Sequence, residues 1–166
     1  MFKTARFATL AGALLLTACQ QPSPETSATS EPAPAPAAPP LPAIDTVNAQ
    51  QFVMDGGSLV SLDFARDGST TVEGGVAGDA APVYAVPVAA GQTLTVVFSS
   101  PSANLYANVS DATDHSGAAL HRGEMDGATA TLKADRDTTF VITPFQPRAM
   151  ARRGETAPFS LTVSRN

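Results

Sequence analysis

The sequence predicts an all-β protein: a single antiparallel β-sandwich of about eight strands, behind a disordered Pro/Ala-rich tether. Three observations carry this. In several runs of residues 44–166 apolar side chains recur at every second position, and no stretch shows a convincing helical period. The alternating runs are short, and turn-forming residues separate them. The spacing leaves no room for crossover helices, and roughly 120 residues suit one domain with one core.

Taken along the chain, 52–55 is a weak first strand, closed by Asp55-Gly56-Gly57. Val60, Leu62 and Phe64 then alternate with Ser61 and Asp63, and Asp67-Gly68 ends that run. Segments 70–77 and 82–88 follow. Pro82 and Pro87 flank the second, which places it at a sheet edge or a bulge. Leu94, Val96 and Phe98 alternate with Thr93 and Thr95, between Ala90-Gly91 and Ser99-Ser100-Pro101. Weaker strands at 104–109 and 128–132 precede two plain ones, Phe140 and Ile142 alternating with Thr139, Val141 and Thr143, and Phe159, Leu161 and Val163 among Ser and Thr. Each alternating series expects one face in a core and one in water. Segment 110–127 holds both histidines and four acidic residues, and reads as a polar loop with a short internal hairpin.

The N-terminal third reads differently. Lys3 and Arg6 precede the apolar run from Phe7 to Leu16, which has the proportions of a secretory signal and is too short to span a bilayer. Leu16-Thr17-Ala18-Cys19 resembles the bacterial lipobox, which implies a signal peptide at 1–18 and acyl chains on Cys19. Gln20 is not Asp, and by the sorting rule of Gram-negative lipoproteins this implies the outer membrane, with the domain facing periplasm or cell surface. Residues 19–43 are the lipidated Cys and a linker. Eight prolines in 20–43 favour extended polyproline, on the order of 70 Å of reach at ~3.1 Å per residue. Cys19 is the only cysteine, so the domain at 44–166 is expected to rest on its core.

Charge narrows the function classes. Of fifteen acidic residues only Glu25 and Glu31, and of ten basic ones only Lys3 and Arg6, precede residue 44, leaving thirteen against eight in the domain. Nucleic acid is an unsuitable partner for such a body. Three of those eight cations, Arg148, Arg152 and Arg153, nevertheless crowd into one loop between prolines. A helical turn there brings Arg148 and Arg152 to one side, ready for carboxylates or phosphates, and leaves Arg153 roughly a quarter-turn away.

Catalysis finds little support. There is no Gly-x-Ser-x-Gly elbow, and both histidines share one loop. Two tyrosines and no tryptophan furnish a sugar cleft poorly. Asp111, Asp114, His115, His121, Glu124 and Asp126 match neither an EF-hand nor a zinc spacing. The reading is a non-catalytic protein with no metal and no cofactor.

Three segments carry a family likeness. They are Val83-Tyr84 through Gly91-Gln92 to Val96, Ala103 to Val109 around Tyr106, and Phe140 through Arg148-Ala-Met-Ala-Arg152 to Val163. Together, over roughly 70–165, they resemble the bacterial inhibitors of g-type (goose-type) lysozyme. The resemblance implies a β-sandwich whose loops block the catalytic cleft of the lysozyme and so protect peptidoglycan. By the same match Arg148 and Arg152 are the arginines of the inserting loop, and Tyr84 is the tyrosine before the Gly-Gln turn, a further lysozyme contact. Arg153 and Ser116 are secondary candidates. Ser116-Gly117 begins the Ser-Gly-x-x-Tyr motif of c-type and i-type inhibitors, but Leu120 stands in place of its tyrosine. Residues alone also allow an adhesive or structural envelope module of pre-peptidase C-terminal type, with calcium in the 110–127 loop. Oligomeric state is left open.

Overall fold

Ten residues at the C-terminal end show how alternation builds this molecule. Along β9 (Thr156–Arg165), Ala157, Phe159, Leu161, Val163 and Arg165 are buried while the residues between them are more open. A strand with one dry face needs neighbours and a layer opposite. In this computed structural model, which describes residues 40–166, β9 has both. β2 (Gly68–Ala77) and β4 (Thr93–Ser99) flank it antiparallel, and β7 (Thr129–Lys133) completes a four-stranded sheet in the order β2-β9-β4-β7. The expected signal peptide, Cys19 and most of the linker lie outside the described residues.

The opposing sheet has five strands in the order β1-β3-β8-β5-β6. They are β1 (Ser58–Ser61), β3 (Pro82–Val88), β8 (Thr138–Phe145), β5 (Tyr106–Asp111) and the two-residue β6 (His121–Arg122). Between the layers lies a core that includes Val86, Val88, Leu94, Phe98, Val109, Phe140, Ile142, Phe159 and Leu161. The all-β sandwich is therefore the fold, with nine strands among the described residues where about eight were expected. Every pairing is antiparallel except β1–β3, which is parallel.

Three expectations need correction. The strand expected at 52–55 is instead a 3-10 turn, Gln50–Phe52, that follows a single helical turn, α1 (Thr46–Ala49). Asp45 caps α1 by accepting from the Asn48 backbone N–H at 3.0 Å, and its own N–H donates to Thr139 Oγ1 at 2.9 Å on β8. This segment covers the outer face of the five-stranded sheet. Ile44, Ala49, Phe52 and Val53 pack on Val83, Ala85 and Val141, forming a second small core. One face of that sheet was expected to be wet, and it is not. β3 is consequently buried almost throughout.

Nor is β3 an edge strand, since it lies between β1 and β8. Pro87 is tolerated because β1 pairs no further than Ser61 with Ala85. Residues two apart direct their backbone polar groups the same way, so the absent N–H of Pro87 falls past the end of β1. The Pro87 carbonyl accepts instead from the Arg165 guanidinium, which also donates to Phe64 O at 2.6 Å and lies 3.9 Å above the Phe64 ring.

Candidate functional site

The arginine loop joins β8 and β9, one in each sheet. β8 pairs with β5 as far as Phe145 opposite Tyr106, and β9 begins with Thr156 opposite Ala77. The loop therefore crowns one end of the sandwich, bridging the layers. Pro147 enters it extended (φ −56, ψ 145) and serves as N-cap of a single helical turn, α3 (Arg148–Ala151). Met150 N–H and Ala151 N–H both donate to Pro147 O, Arg152 N–H to Arg148 O, and Gly154 N–H to Ala151 O. Nine residues thus carry a nearly complete set of internal backbone bonds. Ala151 is the turn's buried residue and points it at the protein.

The three guanidinium groups are not equivalent. Arg153 Nε donates to Glu155 Oε1 at 2.6 Å. Among the described residues Arg148 and Arg152 have no ion-pair partner, and both are exposed. The backbone bond from Arg152 N–H to Arg148 O, at 3.0 Å, puts the two residues one turn apart on α3. The arrangement offers two desolvatable cations in adjacent positions, while the third already holds a carboxylate.

The base of the loop contains a residue that sequence reasoning passed over. Gln146 is only 7 % exposed, and its Nε2 donates to Gly78 O at 3.0 Å and to Glu155 O at 2.8 Å. Gly78 N–H donates to the same Glu155 O at 3.0 Å. A polar residue directly after a strand was the available signal. Its partner lies 68 positions away and left no trace in local pattern.

The remaining predicted residues are placed elsewhere. Tyr84 is buried at 3 % exposure and meets Phe159 edge-on, ring centroids 6.2 Å apart. A Cβ at Gly74 would stand 2.9 Å from its hydroxyl oxygen, so a residue without a side chain makes room for the ring. Burial also pushes its pKa upward. As a surface contact Tyr84 is therefore corrected: it shares the inward parity of Val86 and Val88 and packs in the main core.

Ser116 is exposed and follows the opposite end of β5, where Asp111 pairs with Phe140. Its N–H donates to Asp114 Oδ1 at 2.9 Å and its Oγ accepts from Ala118 N–H, so it shapes a tight turn away from the arginine loop. The Gly91-Gln92 turn lies at that far end too. Gln92 is buried there, and its side chain accepts from Ala89 N–H and donates to Arg66 O.

The 110–127 segment closes a hairpin rather than containing one, since its β6 pairs with Asn108 and Val109 of β5, ahead of the segment, and the helical turn α2 (Gly123–Asp126) follows. Its charged groups are largely engaged. Asp111 accepts from Thr113 N–H and Oγ1, Thr138 Oγ1 and Arg136. Burial acts to raise the Asp111 pKa, and these donors more than offset it, holding the carboxyl below its ordinary value. His121 contacts Gly127 O at 2.9 Å, and His115 contacts Asn48 Oδ1 at 3.1 Å. Among the described residues no three His, Cys, Asp or Glu stand together as metal ligands, and no helix is long and apolar enough to cross a membrane.

Fold and site together define a β-sandwich that presents one short, internally bonded cationic loop across the end of its two layers. Neither a family model nor a curated protein matches the chain, but solved structures do. PliG of Aeromonas hydrophila, a periplasmic lysozyme inhibitor of g-type lysozyme, is 31 % identical with a TM-score of 0.59; the match covers 66 % of this chain and 97 % of that one. PliG of Salmonella Typhimurium is 20 % identical (TM-score 0.51, covering 66 % of this chain and 99 % of that one), which speaks to fold alone. The same holds for a mutant of the Escherichia coli PliG, at 16 % identity and TM-score 0.50, covering 67 % and 99 %. The chain belongs to the PliG family of g-type lysozyme inhibitors.

Proposed function

We propose that this protein inhibits a g-type lysozyme by inserting Arg148 and Arg152 into its catalytic cleft, and so protects peptidoglycan. The observation that carries the reading is the pair itself: two exposed guanidinium groups, one turn apart, unpaired among the described residues, on a turn whose backbone is already ordered. Glycoside hydrolysis relies on carboxyl groups in a partly dry cleft. A guanidinium meets such a group with bidentate, charge-assisted bonds that strengthen as water leaves. Because the turn is preformed, little backbone entropy remains to be lost on docking, and the cost falls mainly on the two arginine side chains. The acidic body adds long-range attraction toward a basic enzyme.

The reading is non-catalytic, in keeping with the relative at 31 % identity, which is an inhibitor rather than an enzyme. Those relatives are periplasmic, which supports an envelope location here. Lipidation of Cys19 would tether the domain to the outer membrane through the 20–43 spacer. Replacing Cys19 by Ser is expected to abolish incorporation of labelled palmitate and to release the protein from membrane fractions. Retention of label by that variant would exclude the anchor.

The test of inhibition is direct. The protein is titrated into goose-type lysozyme clearing a cell-wall suspension, beside an Arg148→Ala/Arg152→Ala double variant. The wild type is expected to stop lysis at micromolar concentration or below, and the variant to lose that effect while keeping its melting temperature. No inhibition by the wild type, or equal inhibition by the variant, defeats the proposal.

A further inference from the structure

The arginine loop has a structural weakness that its internal bonds do not remove. A single helical turn of four residues is far below the length at which a helix is stable alone. Its bonds fix the shape of the turn and leave open its angle to the sandwich. That angle depends on the two ends of the loop and on what they touch.

At the N-terminal end stands Gln146, held in place by the β8 strand it continues. At the C-terminal end stands Glu155, whose carbonyl is the last acceptor before β9 begins. The Gln146 amide joins them, with one Nε2–H on Glu155 O at 2.8 Å and the other on Gly78 O at 3.0 Å. Gly78 belongs to the β2–β3 turn and has φ 61. A Cβ there would stand 3.3 Å from Ala151 O, inside the loop's helical turn. One buried amide thus ties together both ends of the arginine loop and the neighbouring turn against which α3 rests. Both donors are used, and both acceptors are backbone atoms that cannot swing away.

We propose that Gln146 is the positioning residue of the inhibitory loop: its amide clasp sets the direction in which Arg148 and Arg152 project, and so governs affinity for the lysozyme without touching it. This rests on the proposed function above. Without the clasp the turn keeps its shape but samples several angles, and docking must then restrict them. The expected loss is roughly tenfold in affinity, the order that one or two lost hydrogen bonds produce. It should appear mainly as a slower productive association.

Gln146→Glu is the informative variant, because it keeps the size of the side chain and removes both donors, setting a carboxylate against two carbonyl oxygens. Gln146→Ala serves as the second variant should the charge disturb folding. Three measurements are made on the full protein: association and dissociation with immobilised goose-type lysozyme, thermal melting, and hydrogen exchange. The expected result is binding weakened about tenfold, faster exchange at the amides of Gly78 and of residues 152–155, and unchanged exchange in β4, β8 and β9. A purely structural glutamine would instead lower the melting temperature and speed exchange across the sheets, with affinity per folded molecule unchanged. That outcome, or wild-type affinity in both variants, overturns the inference. If the wild type binds and Arg148→Ala/Arg152→Ala does not, while both Gln146 variants bind normally, only this inference falls. If the wild type itself fails to bind, the proposed function falls and takes this inference with it.

Discussion

The arginine loop and the acidic 110–127 segment are alike in sequence in one respect, since each concentrates charge suited to a partner or an ion. In the folded protein they are opposites. The acidic segment spends its groups internally: Asp111 on Thr113, Thr138 and Arg136, Asp114 on Ser116, Asp126 on the Arg122 N–H, and the histidines on Gly127 O and Asn48. The arginine loop builds its framework almost wholly from backbone bonds and one buried amide. Two of its three cations therefore stay free of ion pairs among the described residues. Charge density in a sequence does not separate these cases. What separates them is whether the backbone or the side chains hold the loop together.

The comparison breaks most sharply at the arginines. As central, desolvated contacts, each should behave as an interface hot spot worth about 2 kcal/mol or more. The Arg148→Ala/Arg152→Ala variant is then expected to inhibit at least about a hundredfold more weakly, with a melting temperature within a degree or two of wild type. Single variants are expected to sum imperfectly, because the proposal sets both groups in one acidic cleft. A double variant that melts much earlier than wild type would show that these side chains hold the fold, contrary to their exposure.

Asp111 should behave in the reverse way. Asp111→Asn keeps the shape but turns an acceptor into a donor facing Thr138 Oγ1 and Arg136. The expected cost is about 2 kcal/mol, or roughly 6–10 °C in melting temperature, with affinity for lysozyme unchanged. The pH dependence follows from the direction of the shift. The folded-state pKa of Asp111 lies below its unfolded value, so its contribution is complete above about pH 4–5 and disappears as pH falls through the folded value. Denaturant unfolding at pH 7 and pH 3 should show the gap between wild type and variant closing in acid. A gap that stays constant would mean that the carboxylate is not what these donors stabilise.

Much of this is legible in the sequence itself. β4, β8 and β9 announce themselves by alternation along most of their length, and the arginine loop falls between the last two, opening at Pro147, while Pro158 already belongs to β9. The 44–57 segment was not legible. Turns of three and four residues carry no period, and nothing local says that Ala49 and Phe52 will cover Val83 and Val141. Tyr84 could have been assigned inward from its parity with Val86 and Val88, but a family match drew it to the surface. Which arginine is paired depends on Glu155 reaching Arg153 rather than another cation, a question of rotamer and not of spacing. Gln146 was hidden because its partner Gly78 is distant in sequence and enters as a bare carbonyl.

The smallest expected effects test the partition most closely. Arg153 and Glu155 form a pair whose side chains are 59 % and 38 % exposed. Such pairs contribute at most about 1 kcal/mol and weaken further in salt. Arg153→Ala is therefore expected to change inhibition by no more than about threefold, and the change should shrink at 0.5 M NaCl. Ser116→Ala removes an acceptor for Ala118 N–H in a turn at the other end of the sandwich, and is expected to leave inhibition unaltered. Inhibition curves for the two variants at low and high salt settle both points. A tenfold loss from Arg153→Ala that persists in high salt would mean that the lysozyme draws this side chain away from Glu155. The loop would then act with three cations, and the ion pair seen in the free protein would be a latch that opens on binding.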